Sequence, residues 1–95
     1  MPVVIDGRTF DSKKEGERYR HLKAEQLAGR IGGLRCQVRF PLRVNGVMVA
    51  RYCADFVYVQ GSERVVEDVK GVRTAVYKLK RNLMRAVHGI EIHEV

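Results

Sequence analysis

A chain of 95 residues with 45% hydrophobic and 31% charged residues suits one globular domain, residues 1–95, with a small core, and is an ordinary globular mix rather than a disordered one. A net charge of +7 and a pI near 9.9 favour a polyanionic partner, nucleic acid ahead of an anionic membrane surface. No signal-peptide pattern and no apolar run long enough to span a bilayer occur, so a soluble cytoplasmic protein is expected.

The segment 2–6 (PVVID) suits a short first strand, with Gly7 and Arg8 in a turn. Ser12 followed three residues later by Glu15 has the spacing of a capping box and predicts a helix over 12–28. Glu15, Tyr19, Leu22 and Gln26 share one stripe of it, with Leu27 and Ala28 extending the apolar side. From Leu34 to Leu42 the period becomes two, giving a half-buried strand whose outer face carries Arg35, Gln37 and Arg39. Asn45-Gly46 marks a tight hairpin, because a type I′ turn needs positive φ at both central residues. A strand over 47–59, a turn at 60–62 and a strand over 63–70 follow. Thr74 begins a second helix, with Val76, Leu79, Leu83 and Val87 on one face and Gly89 as its stop, and IEIHEV closes as a strand. The order is β-α-β-β-β-α-β, an α/β domain with a mixed sheet.

Cys36 and Cys53 lie in strand segments with no zinc-type spacing, so both read as small buried hydrophobes. His21, His88 and His93 share no spacing that suggests metal or catalysis. Tyr52, Tyr58 and Tyr77 read as core residues before base-stacking ones.

The segment VVEDVKG (65–71) is harder to place, since an apolar strand carries two carboxylates and a lysine. Alternation puts Val66, Asp68 and Lys70 on one face and Val65, Glu67 and Val69 on the other. A two-residue loop at Gly61-Ser62 pairs Gln60 with Glu63, which carries Asp55 opposite Asp68 and Cys53 opposite Lys70. Opposed Cβ atoms lie about 4.5–5.5 Å apart, and like charges so placed destabilise a sheet. A divalent cation between Asp55 and Asp68 removes the conflict, and hard oxygen ligands with several waters suit Mg²⁺. Without an ion, Asp68 and Lys70 form a surface pair contributing about 0–1 kcal/mol, with Asp55 an edge residue. Glu67 faces away and is expected to pair with a basic side chain on a helix. The same rule at Asn45-Gly46 sets Cys36 opposite Asp55, which leaves Gln37 out of the candidate site.

Asp55 in ADF and Asp68-Val69-Lys70 in EDVKG resemble the motif of the PD-(D/E)xK nuclease superfamily, with Ala54 at the proline position. FDSKKEGERY, RFPLRVNG, YCADFVYV and the stretch 74–83 also resemble a small phage- and prophage-associated family without assigned function. The resemblance implies a restriction-endonuclease-like αβββαβ core after an extra first strand. It implies an acidic residue on the first helix completing the site, for which Glu15 is the first candidate and Glu17 the second. Glu15 alternatively closes the capping box with Ser12.

The activity so implied is Mg²⁺- or Mn²⁺-dependent hydrolysis of DNA phosphodiesters, selective for branched or junction structure. Asp55, Asp68 and Glu15 would hold the metal, and Lys70 would orient water or stabilise charge. Lys13, Lys14 and Arg18 on the first helix, and Lys78, Lys80 and Arg81 on the second, would hold DNA phosphates. A homodimer would place two sites on two strands; no organic cofactor and no membrane partner is implied. The rival is a catalytically silent basic DNA-binding protein on the same fold.

Overall fold

The computed structural model describes residues 1–95. Tight turns organise its strands. Asp6-Gly7, with φ of 53° and 74°, joins β1 (Val3–Ile5) to β2 (Arg8–Phe10). Asn45-Gly46, with φ of 50° and 78°, joins β3 (Gly32–Val44) to β4 (Val47–Gln60). Both have the positive φ at two successive positions that a type I′ hairpin requires. Gly61, at φ 63°, opens the turn from β4 to β5 (Glu63–Asp68). β2 corrects the sequence reading, which ran from the first strand into the helix. The Asp6-Gly7 pair carries the same signal as Asn45-Gly46 and predicts the hairpin by the same rule.

Helix α1 spans Lys13–Leu27, and the Ser12 hydroxyl accepts the Glu15 amide at 3.1 Å. Helix α2 spans Ala75–Leu83, capped by Thr74 accepting from the Tyr77 amide at 3.1 Å. It widens into a π-helical turn, Met84–His88, and stops at Gly89 in the left-handed region. The last strand, β6, is only His93–Glu94, parallel to β5.

The main sheet runs β3-β4-β5-β6, antiparallel except for its last pair. The β1–β2 hairpin and α1 cover one face through Phe10, Tyr19, Leu22, Phe56 and Tyr58. Their approach is close at Gly16, where a Cβ would stand 2.6 Å from Val3 Cγ2. Tyr19 donates to Asp6 Oδ2 at 2.8 Å and pins the hairpin to the helix. On the other face α2 and the π turn bring Tyr77 and Met84 against Phe40, Leu42, Tyr52, Ala54 and Val66. Truncating a fully buried aromatic such as Phe56 costs about 3–5 kcal/mol. No helix is long and apolar enough to cross a membrane.

Two predicted apolar faces are corrected. On α2 the buried residue is Tyr77, with Met84 following in the π turn; of the predicted face Leu83 packs against this core, whereas Val76 and Leu79 are 61% and 57% exposed. The Tyr77 hydroxyl donates to Glu94 at 2.6 Å, which sets the helix's rotation, and the π turn then shifts its phase. On α1 the stripe of Glu15, Tyr19 and Leu22 is buried, but Leu27 in the last turn is exposed. Cys36 is half-buried and Cys53 exposed, so the expectation of two buried cysteines also fails.

The β3–β4 hairpin changes faces part-way along. Val38, Phe40, Leu42, Tyr52 and Ala54 pack under α2, while Leu34, Cys36, Phe56 and Tyr58 pack under α1. Cys36 pairs with Phe56 and Val38 with Ala54, so the exchange falls at Gln37 and Asp55. Gln37 has φ 54°, in the left-handed region that turns the strand over. Plain alternation along the sequence puts Cys53, Asp55, Val57 and Val59 on one face; in the structure Asp55 sits at the crossover and Val57 belongs to the α2-side core.

Candidate active site

The turn at Gly61-Ser62 pairs Gln60 with Glu63 and Phe56 with Glu67, which sets Asp55 across from Asp68 one step beyond the last pair. Asp55 Oδ2 accepts the Val69 amide at 2.7 Å, so this carboxylate closes the end of the ladder where β4 and β5 part. Asp68 is buried, with Oδ2 taking the Tyr52 hydroxyl at 2.5 Å and Oδ1 the Lys70 ammonium at 3.0 Å. The Lys70 ammonium also stands 3.9 Å from the centre of the Tyr77 ring. Lys70 lies past the end of β5, and its amide donates to Val95 O rather than pairing with Cys53 as its register predicted.

Of the two roles the sequence left open for the Glu15 side chain, the structure gives the inward one and not the return bond of a capping box. Its backbone amide serves the Ser12 cap, while its side chain turns inward, 5% exposed, and accepts from Gln37 Nε2 at 2.8 Å. Burial, followed by the negative charges of Asp55, Asp11 and Asp68, pushes Glu15 up to about 7 against the opposing Gln37 hydrogen bond. Burial also pushes Asp55 up to about 6; Asp68 adds to this, and the Val69 amide and Lys70 oppose it. Glu15, Asp55 and Asp68 thus share one field, with Lys70 as the cation in contact.

The structure brings Gln37 into this group, a correction to its exclusion. Near the turn the β3–β4 register follows the Asn45-Gly46 hairpin, with Arg43 opposite Met48. An irregularity between Leu42 and Arg43 then shifts the pairing by one residue, so Gln37 and not Cys36 lies across from Asp55. No turn residue announces that slip. Its side chain joins β3 to the helix through Glu15, and its Oε1 accepts from Cys53 Sγ at 3.3 Å. Tyr52, read from the sequence as core, is also a direct partner of Asp68.

Glu67 takes the opposite face, as alternation required. Arg18 Nε and Nη2 grip its two oxygens at 2.9 and 2.6 Å, and the Tyr58 hydroxyl also donates to it. Arg18, expected to hold phosphate, is therefore committed to Glu67. Arg81, expected in the same role, reaches Glu94 at 3.3 Å, and Lys14 donates to the Lys70 carbonyl at 2.8 Å. Lys13 and Lys78 are exposed and Lys80 half-exposed. Glu17 is exposed and outside the group.

The residues present meet the demands of a hard divalent cation in part. Asp55 Oδ1 and Glu15 Oε2 make no hydrogen bond, and Mg²⁺ commonly takes only one or two carboxylates plus water. Both candidate ligands are held above their ordinary range in part by neighbouring negative charge, which a cation would relieve. The arrangement is not a closed cage: no three His, Cys, Asp or Glu side chains already converge tightly enough to hold an ion. Asp68 has one partner on each oxygen, Lys70 and Tyr52, so an ion would share those oxygens with them.

Residues 1–93 match the family described as "Protein of unknown function (DUF1064)". The chain belongs to the DUF1064 family. No curated protein matches it. The match takes in every residue of the group, from Glu15 on α1 to Lys70 after β5. In this DUF1064 chain all four tyrosines donate to carboxylates: Tyr19 to Asp6, Tyr52 to Asp68, Tyr58 to Glu67 and Tyr77 to Glu94.

Proposed function

We propose that this DUF1064 protein is a divalent-metal-dependent endonuclease of the PD-(D/E)xK kind, hydrolysing DNA phosphodiesters with a preference for branched structure. The observation that carries the proposal is the placement of Asp55 across from Asp68 where two strands part, with Lys70 at 3.0 Å from Asp68 and buried Glu15 in the same field. Three carboxylates with one ammonium among them, in contact with Asp68 alone, leave negative charge that a divalent ion would neutralise.

Asp55 and Glu15 are the residues to hold Mg²⁺ or Mn²⁺, with Asp68 as the third. When bound, the ion supplies polarisation of the phosphate and a water of lowered pKa. Asp55 is steadied by the Val69 amide and Glu15 by Gln37, which leaves one oxygen of each free for an ion. Lys70, partly exposed beside Asp68, presents its ammonium where charge on a phosphoryl oxygen grows. Tyr52 fixes the Asp68 carboxylate and thereby Lys70.

One observation favours the second reading, a silent DNA-binding protein: both oxygens of Asp68 are already engaged within the chain. Plasmid nicking separates the two. Cutting is expected with Mg²⁺, absent in EDTA and lost in Asp68→Ala. Cutting that survives Asp68→Ala, or none on duplex, single-stranded or branched DNA, refutes the hydrolase. A binding-only protein keeps its affinity in EDTA.

A further inference from the structure

Beyond the crossover at Gln37 and Asp55, only one face of the β3–β4 hairpin is packed. Val38, Phe40, Leu42, Tyr52 and Ala54 lie beneath α2. The alternating residues Arg39, Arg43, Arg51 and Cys53 are exposed. Arg39 pairs with Cys53 and Arg51 with Pro41, so Arg39, Arg51 and Arg43 form a zigzag across two strands. Diagonal neighbours of this kind stand about 7–8 Å apart. That step is of the order of the separation between neighbouring phosphates on a duplex backbone, whose rise of ~3.4 Å per nucleotide is lengthened by the winding of the strand.

These arginines differ from the others near the carboxylates. Arg18, Arg73, Arg81 and Arg85 are each committed to a carboxylate of the chain. Arg39, Arg43 and Arg51 make no ion pair or side-chain hydrogen bond, and no element covers them. An arginine fork left free on a flat strand face suits bidentate contact with phosphate. The face also begins where the carboxylate group ends, since Gln37 precedes Arg39 by two residues and contacts Glu15.

We infer that the uncovered face of the distal β3–β4 hairpin, through Arg39, Arg43 and Arg51, is the docking surface for the phosphate backbone of a nucleic acid duplex. The inference rests on the hydrolase reading only in saying what the docked strand then meets. It moves the nucleic-acid contact from helices α1 and α2, where Lys13, Lys14 and Arg18 and Lys78, Lys80 and Arg81 were expected to supply it, to the hairpin on the α1 side of the sheet.

Affinity for a fluorescent 20-bp DNA duplex, measured in EDTA over a series of salt concentrations, tests it. Arg39→Ala/Arg51→Ala is expected to lower the slope of log affinity against log salt by about 2, one for each lost phosphate contact. Arg39→Lys/Arg51→Lys should keep most of the slope. Arg20→Ala/Arg64→Ala, two exposed arginines off this face, should leave it unchanged. The inference is overturned if the hairpin variant binds like wild type, if Lys78→Ala/Lys80→Ala lowers the slope in its place, or if wild type binds anionic vesicles and not the duplex. Because affinity is read without metal, failure to cut DNA sinks the hydrolase and leaves this result standing. Intact cutting without dependence on Arg39 and Arg51 sinks the docking face alone.

Discussion

Glu67 and Asp68 are consecutive in the chain, both buried, and each holds a tyrosine hydroxyl and a cation. On the α1 side Glu67 meets Arg18 in a two-point grip and takes the Tyr58 hydroxyl as well. On the other side Asp68 meets a single-point ammonium from Lys70 and shares its surroundings with Asp55 and Glu15. One carboxylate is balanced by the fold; its neighbour is left in surplus negative charge. The same residue chemistry thus gives a structural pair or a candidate site according to the count of charges around it.

The largest expected effect is on the Asp68 side. Asp55→Asn and Asp68→Asn, which keep shape and remove charge, should each lower Mg²⁺-dependent cutting by about 10³-fold. Circular dichroism should show both folded, Asp55→Asn with no loss of thermal stability because that carboxylate is strained by burial. Equal cutting by wild type and Asp55→Asn would remove the distinction between the two acids.

Next is the Glu67 side. Glu67→Ala leaves the Tyr58 hydroxyl and the Arg18 guanidinium without their partner, and Glu67 itself is 0% exposed. A loss of about 3 kcal/mol in denaturant unfolding is expected, the low end for a buried pair because Arg18 is partly exposed. Replacing both members, Arg18→Met with Glu67→Met, should recover much of the loss, since an apolar pair avoids the stranded charge. The matching exchange of Asp68 and Lys70 for apolar residues should never restore cutting. If the Glu67 single variant is as stable as wild type, the balanced pair is not what secures α1 to β5.

Proton linkage sharpens the contrast. Glu15 and Asp55 bind protons more tightly folded than unfolded, with values raised to about 7 and about 6. Their contribution to stability is therefore full at acid pH, below their unfolded values, and is lost as pH rises through about 6 and 7. Mg²⁺ should offset that loss. At pH 8 and a hundredfold excess over Kd the gain is about 2.7 kcal/mol, read as a higher Tm, and it should vanish at pH 5 where the ligands hold protons. A gain that is the same at both pH values, or that survives Asp55→Asn, places the ion elsewhere.

How much of this was legible follows from which signals are local. The Gly61-Ser62 turn and strand alternation were enough to set Asp55 across from Asp68 and to send Glu67 to Arg18's side. Ser12 and Glu15 marked the start of α1, but whether the Glu15 side chain turned back to the cap depended on what lay across the sheet. The exposed Val76 and Leu79 show that a periodic apolar stripe does not choose the packed face when a tyrosine with a carboxylate partner competes for it. The arginines Arg18 and Arg81 looked like free charge because their partners, Glu67 and Glu94, are distant in sequence. Gln37 was lost for the least visible reason, a one-residue slip near Leu42 with no glycine to mark it.

That slip gives the smallest and most selective effect. Gln37 holds φ 54°, a conformation costing a non-glycine residue about 1 kcal/mol and glycine nothing. Gln37→Gly keeps the crossover and deletes the Nε2 donor to Glu15. Stability should stay level or rise by up to about 1 kcal/mol. The hydrogen bond that lowers the Glu15 pKa goes, so Glu15 should titrate higher and release its proton less readily near neutrality. Cutting should fall about tenfold at pH 7, the low end for a residue that steadies a ligand, and recover as pH is raised. A variant that is more stable yet unchanged in cutting at every pH would make Gln37 a strand-turning device with no hold on Glu15. A deficit that persists at high pH would mean that it positions Glu15 rather than setting its charge.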